Sequence, residues 1–168
     1  MPKFVALLRA VNVGGTGKIP MADLKRICIE AGFEQVQTYI ASGNVVFYSK
    51  LTAAKVKNEL ENRLLAYASK PVGVLVRTAS EITAVLVANP FPTKPPNQTV
   101  VFFLDEPPPS DTLDHIRSKQ EEEIRLGVRE IYVFYVTGIG NTKLQIPAAK
   151  NGTARNMNTV SKLVQMMS

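Results

Sequence analysis

The sequence has few of the residues that build metal centres, disulfides or activated thiols. Its 168 residues include one cysteine, Cys28, one histidine, His115, and no tryptophan. A disulfide needs a second cysteine, and a zinc site needs several Cys or His ligands at close spacing. The composition therefore argues against a disulfide-stapled scaffold, a zinc enzyme and a Cys-His hydrolase, and we expect neither a metal nor a cofactor.

Long hydrophobic runs are also lacking. The first nine residues contain too few apolar side chains for the core of a signal peptide, and the apolar run over 84–88 stops at Asn89-Pro90. A membrane-spanning helix needs roughly 18–20 consecutive apolar residues, and no stretch of the sequence approaches that length. We therefore expect a cytoplasmic protein without a membrane partner, in which Cys28 fills the buried face of a helix.

The first half of the chain predicts a βαββαβ order. The apolar, β-branched run over 3–13 is typical of a central strand, and apolar residues recur at helical spacing after Pro20. Two β-rich segments over 34–40 and 45–49 are joined by Ser42-Gly43-Asn44, which has the composition of a hairpin turn. A helix capped by Thr52 and a strand over 71–77 complete the unit.

The second half repeats this pattern less completely. A short helix over 80–88 is followed by a segment over 89–97 with four prolines, which predicts a stiff linker. Beyond it we expect a strand over 98–104, a helix over 110–119, strands over 122–126 and 129–136, and a final helix. The fold class is therefore α+β, with two ferredoxin-like units of antiparallel sheet at 1–80 and 98–168, the second lacking its last strand.

One edge of the first sheet is a candidate ligand site. The right-handed crossover of a split βαββαβ unit gathers there the end of the first strand, the start of the first helix and the hairpin tip. Free N–H groups at a helix start, a glycine-rich loop and two cations favour an anion. The candidate ligand-binding residues at this edge are Arg9, Asn12, Gly14, Gly15, Lys18, Ser42, Gly43 and Asn44.

The glycine-rich loop does not match a known nucleotide-binding motif. A P-loop has Ser or Thr after its Gly-Lys pair, and here Ile19 follows Lys18. A loop whose glycines merely satisfy turn geometry is the structural alternative.

Charge is distributed unevenly along the chain. Residues 1–80 carry a net charge of +6, residues 81–140 of −4 and residues 141–168 of +4. Such basic regions attract nucleic acid or another polyanion, or they reflect two halves with complementary charge.

Near the C-terminus, Arg155 and Asn156 precede the last helix. Both are candidate ligand-binding residues. An arginine at a helix start opposes the helix dipole and indicates a carboxylate or phosphate partner, either an internal one among Glu121, Glu122 and Glu123 or a ligand, and Asn156 is also a candidate cap.

Several motifs together resemble a known bacterial family. They are Leu7-Leu8-Arg9-Ala-Val-Asn12-Val-Gly14-Gly15, Pro20-Met21, Gly32-Phe33, Ser42-Gly43-Asn44-Val45-Val46-Phe47 and Arg155-Asn156. The chain is similar in these segments to the family called domain of unknown function 1697. The resemblance implies a two-lobed α+β fold in a bacterial cytoplasmic protein, and it implies no activity. Met157 stands where that family is expected to have tryptophan, which indicates a packing position.

Three functions remain open at this point. The first is a binding or regulatory protein whose glycine-rich edge accepts a phosphate-bearing small molecule or nucleic acid. The second is an enzyme in which Arg9 and Arg155 orient a small anionic substrate. In this hypothesis Ser42, Asn44 or Asn156 polarises the substrate. The third is a protein interaction module that uses an exposed sheet face or edge. The sequence identifies no particular protein partner.

Overall fold

The chain folds into two compact α+β units. A computed structural model describes residues 1–9, 18–140 and 142–168. The first unit comprises Met1–Ile82 together with Leu163–Ser168, and the second comprises Thr83–Lys162. Each unit contains one four-stranded antiparallel sheet, which confirms the predicted fold class. Within the described ranges, none of the helices combines the length and the apolar character needed to cross a bilayer.

The first unit has the predicted ferredoxin-like topology. Its elements are β1 (Lys3–Leu8), α1 (Met21–Glu30), β2 (Glu34–Tyr39), β3 (Asn44–Tyr48), α2 (Ala53–Ala68) and β4 (Val74–Thr78). Helix α3 (Ala79–Val87) begins in this unit and ends in the second. The strand order is β2-β3-β1-β4, and all neighbours are antiparallel. Strands β1 and β2 therefore run parallel with β3 between them, as the crossover through α1 requires.

Helices α1 and α2 fill one face of this sheet. Their buried residues recur at three- and four-residue spacing, and they are Leu24, Ile27 and Cys28 in α1 and Val56, Leu60 and Leu64 in α2. Alternate residues of β1 and β3 meet them, and the Phe33 ring stacks on Phe47 at 4.3 Å. Burial raises the pKa of the Cys28 thiol to about 12, so this cysteine is a neutral core residue at physiological pH.

The second unit contains a fourth strand that the sequence pattern does not predict. Its elements are β5 (Thr99–Phe103), β6 (Glu123–Leu126), β7 (Glu130–Phe134) and β8 (Thr153–Asn156). Helix α4 (Met157–Met167) begins in this unit, and its residues from Leu163 onward belong to the first. The strand order β6-β7-β5-β8 repeats that of the first sheet, so the prediction of a missing last strand was wrong. Strand β8 has four residues with little apolar alternation, and its pairing with β5 rather than its own sequence makes it a strand.

The connections of the second unit are shorter than those of the first. The helix predicted over 110–119 is a 3-10 helix of four residues, Thr112–His115, and a second one, Pro147–Ala149, precedes β8. The longer helix does not form because the backbones of Arg117 and Gln145 pair with each other through two hydrogen bonds of 2.9 Å. In the first unit, the equivalent connections are the helices α1 and α2.

The proline-rich segment 89–97 packs within the second unit. The Phe91 side chain is buried, and its ring centroid lies 6.0 Å from that of Phe134. The Lys94 ammonium group lies 5.3 Å from the centroid of the same Phe134 ring. Helix α3, which precedes this segment, begins one residue before the predicted Ser80. Thr78 and Glu81 form its capping box, in which each side chain accepts a hydrogen bond from the other residue's backbone N–H.

The outer edge of β4 is covered by side chains of α2. The backbone N–H of Val74 donates to the Glu61 Oε2 at 3.1 Å, and the Lys57 ammonium group donates to the Val74 carbonyl at 2.5 Å. Lys57 and Glu61 also pair with each other at 3.1 Å. Because β4 lies at the end of the strand order, these contacts occupy backbone groups that could otherwise pair with another chain.

We predict that Glu61→Ala destabilises the protein by about 1–3 kcal/mol, because the buried Val74 N–H loses its side-chain acceptor and Lys57 loses its ion pair with Glu61. Glu59→Ala is the matched control, since Glu59 pairs with Arg63 of the same helix at 2.6 Å and this ion pair involves no strand residue. We expect it to cost less than about 0.5 kcal/mol. Urea denaturation measures both changes, and equal losses would contradict the assignment of Glu61 to the sheet edge.

Candidate functional site

The end of β1 is held between two glycines. The N–H of Leu8 donates to the Gly43 carbonyl at 2.8 Å, and the N–H of Arg9 donates to the Gly73 carbonyl at 2.9 Å. These bonds extend the pairing of β1 past its last residue, toward the hairpin tip on one side and toward the start of β4 on the other. We call Leu8, Arg9, Gly43 and Gly73 the β1 end.

The β2–β3 hairpin tip is fixed by an asparagine. Asn44 is fully buried, and its Nδ2 donates to the Tyr39 carbonyl at 2.9 Å and to the Ser42 Oγ at 3.0 Å. Gly43 has a φ of +88°, and a Cβ at this position would lie 2.8 Å from the Leu8 Cβ. Glycine is therefore required here for both its backbone conformation and its small size. These contacts give Ser42, Gly43 and Asn44 a structural task, and their role in ligand binding stays a prediction.

Arg9 lies at the β1 end, whereas Lys18 precedes the start of α1. Leu8 belongs to the core under the helices, so alternation along the strand places Arg9 on the opposite face. The Arg9 side chain is half-buried and runs over Gly73, with its Cβ and Cδ each 3.5 Å from the position of a Cβ there. Lys18 is exposed and precedes the buried Ile19, which anchors the start of α1 in the core.

Three predicted ligand-binding residues cannot be placed in this geometry. Asn12, Gly14 and Gly15 fall within residues 10–17, outside the described residues. Their predicted contribution to an anion site rests on the sequence.

Arg155 and Asn156 lie in the second unit, in a setting that differs from the predicted one. Arg155 is in the middle of β8 rather than at the start of a helix, and its side chain is buried. Its Nη1 donates to the Thr153 Oγ1 at 2.7 Å and to the Ala154 carbonyl at 2.9 Å. Burial lowers the pKa of Arg155 to about 10, so the guanidinium stays charged at neutral pH. Asn156 caps α4, because its Oδ1 accepts the Thr159 N–H at 2.9 Å.

The first unit contains a counterpart of Arg155 that the sequence analysis missed. Arg77 faces Val5 across β4 and β1, as Arg155 faces Val101 across β8 and β5. Each arginine is buried, donates to the carbonyl of the preceding residue and stands before a residue that caps the following helix. The repeated segments are Arg77-Thr78-Ala79-Ser80-Glu81-Ile82 and Arg155-Asn156-Met157-Asn158-Thr159-Val160. An arginine, a cap and an aliphatic residue at the same spacing are the signal that could have revealed the repeat.

The other titratable side chains do not form a catalytic arrangement among the described residues. The exposed His115 contacts Asp111 at 2.9 Å, four residues earlier in the chain. Within the described ranges, no three His, Cys, Asp or Glu side chains come close enough to hold a metal ion.

Comparison with known proteins supports the fold but assigns no chemistry. The family model described as "Protein of unknown function (DUF1697)" matches residues 1–132. The chain belongs to the DUF1697 family. A solved structure, that of the conserved bacterial protein SP0830 from Streptococcus pneumoniae, is similar to this DUF1697 chain with a TM-score of 0.80 and 25% identity. The similarity covers 99% of each chain. No curated protein matches the sequence.

We predict that Gly43→Ala destabilises this DUF1697 protein more than Gly138→Ala. Both glycines have a positive φ, +88° and +87°, but a Cβ at Gly138 would meet no atom within 4 Å. The control should cost about 1–2 kcal/mol through its backbone conformation alone, and Gly43→Ala should cost at least about 1 kcal/mol more through its clash with Leu8. Denaturation curves of both variants test this, and equal losses would show that the hairpin tip moves away from β1 without cost.

Proposed function

We propose that this DUF1697 protein binds a phosphate-bearing ligand at the start of α1, with Lys18 and Arg9 as its cations. The observation that carries the proposal is that Pro20, the N-cap residue of α1, makes no side-chain cap and lies beside an exposed lysine. We also infer a bacterial cytoplasmic setting, which the similar bacterial structure and the single, buried cysteine support.

The start of α1 suits an anion because its N-cap residue has no side chain that can accept a hydrogen bond. Pro20 occupies the N-cap, and its carbonyl accepts the N–H groups of Asp23 and Leu24, both at 3.0 Å. Proline carries no polar side chain, so it cannot cap the N–H groups of Met21 and Ala22. Those groups and the positive end of the helix dipole favour a negatively charged ligand.

Lys18 adds to the positive potential of this helix start, and Arg9 is a second cation at the β1 end. Lys18 is exposed two residues before Pro20, and Arg9 extends along the opposite face of the sheet at the β1 end. A ligand that contacts both side chains must reach across the end of the sheet. Ligands with two or more linked phosphates fit this arrangement better than a single phosphate, because their charges are spread over a longer body.

Asp23 lowers this potential. It lies in the first turn of α1, where its Oδ2 accepts a hydrogen bond from the Tyr67 hydroxyl at 2.5 Å and its Oδ1 lies 3.7 Å from Arg26. A carboxylate at this position favours the helix dipole in the absence of a ligand and repels an anion that approaches. Asp23→Asn removes this negative charge, so its effect on anion affinity should be opposite to that of Lys18→Ala.

We predict that pyrophosphate, ATP or a short single-stranded RNA raises the thermal unfolding midpoint at low ionic strength, and that added salt reduces the effect. Lys18→Ala should weaken binding by about threefold or more, because one charge near a helix start contributes up to about 1 kcal/mol. Asp23→Asn should strengthen it by a similar factor. Titrations monitored by thermal shift give the affinities of the three probes and distinguish small phosphates from nucleic acid.

Lys25→Ala is the control for charge alone, since Lys25 is exposed on α1 beyond its first turn. The affinity of the Lys25→Ala variant for each probe should stay within about twofold of that of the unsubstituted protein. Equal effects of Lys18→Ala and Lys25→Ala would indicate attraction by net charge without a site. No stabilisation by any of the three probes at low salt would refute the proposed function.

A further inference from the structure

The two units fill the same face of their sheets differently. In the first unit, the face is covered by the long helices α1 and α2, whose inward residues are fully or nearly fully buried. In the second unit, 3-10 helices of four and three residues stand in their place. The apolar residues that cover the second sheet are partly buried, among them Ile116, Leu144, Ile146, Ala148 and Ala149. Short connections therefore leave this face less completely packed.

A pocket lies where the second unit lacks the equivalent of α2. It has a volume of about 150 Å³ and is lined by Phe102 of β5, by Tyr135 directly after β7, and by Leu144, Ile146, Ala149 and Lys150. An apolar cavity of roughly this volume holds a molecule the size of benzene. Two aromatic rings and three aliphatic side chains offer such a molecule an apolar surface.

Two residues of the lining carry groups that can donate a hydrogen bond. Lys150 is exposed and positively charged, and Tyr135 is buried. Burial, together with the nearby Glu122 carboxylate, raises the pKa of Tyr135 to about 12, so its hydroxyl is protonated at neutral pH and can donate a hydrogen bond.

The Glu122 carboxylate accepts hydrogen bonds from residues outside the pocket lining. One carboxylate oxygen accepts the Gln120 N–H at 2.7 Å, and the other accepts the Thr142 hydroxyl at 3.0 Å. These hydrogen bonds lower the pKa of Glu122, whose carboxylate is not part of the pocket lining although it contributes to the raised pKa of Tyr135. Lys150 is then the charged side chain that the lining contributes.

We propose that this pocket binds a small monocarboxylate whose apolar body has about the size of a benzene ring. The body would contact Phe102, Leu144 and Ile146, and the carboxylate would pair with Lys150 and accept a hydrogen bond from Tyr135. The site lies entirely within the second unit. It is independent of the proposed phosphate site at the start of α1, and either can fail without the other.

The test is a titration of the isotope-labelled full chain with benzoate, followed by amide and methyl NMR signals. We expect saturable shifts at Leu144, Ile146 and Ala149, with a Kd on the order of 1 mM or below. Lys150→Ala should weaken binding about tenfold or more, because a charge-assisted contact is lost. Lys143→Ala is the matched control, since Lys143 is an exposed lysine of the same segment that does not line the pocket. The Lys143→Ala variant should bind benzoate with the same affinity as the unsubstituted protein.

Two further measurements separate this proposal from non-specific binding. Ala149→Leu places extra carbon atoms in the pocket and should abolish the benzoate shifts while the rest of the spectrum remains that of the folded protein. Benzylamine has the same ring with the opposite charge and should not bind. The proposal is wrong if benzoate causes no saturable shifts at these residues, if benzylamine binds equally well, or if Lys150→Ala and Lys143→Ala behave alike.

Discussion

Hydrogen bonding of β1 on both sides determines the geometry of the first unit. Its pairing with β3 and β4 continues beyond Leu8 through the carbonyls of Gly43 and Gly73. Glycine at 43 permits the hairpin tip to approach Leu8 closely, and the Arg9 side chain runs over Gly73 at van der Waals distance. The position of Arg9 and the shape of the hairpin therefore depend on the same backbone contacts. A ligand at this end of the sheet would meet a preformed surface, which reduces the entropy that binding must overcome.

The two units show how connection length changes what one topology can do. Both sheets have the same strand order, and both last strands carry a buried arginine before a capped helix. The long connections of the first unit form α1 and α2, which complete its core. The second unit has 3-10 helices in their place, and a pocket lined by Phe102 and Tyr135 remains. The same sheet face is thus filled by helices in the first unit and lined by a pocket in the second.

The sequence predicted those parts of the structure that local patterns encode. The strands β1 and β3 and the helices α1 and α2 follow from apolar spacing and from Ser42-Gly43-Asn44 at the turn. Strand β8 could not be predicted, because Thr153–Asn156 owes its conformation to pairing with β5, which is distant in sequence. For the same reason Arg155 was placed at a helix start, although it is buried in a strand. At the candidate site, local chemistry identified Asn44 as polar and close to β1, but only its contacts with Tyr39 and Ser42 reveal its structural task.

The measurement that tests the central claim most directly is an amide NMR titration of the full chain with pyrophosphate at low salt. If the start of α1 holds the ligand, the largest shifts will occur at Lys18, Ile19, Met21 and Ala22, with smaller ones at Arg9 and Gly73. Amide signals of β8, including that of Arg155, will stay unchanged. Saturable shifts at β8 with none at the start of α1 would contradict the account and would move the anion site to the second unit.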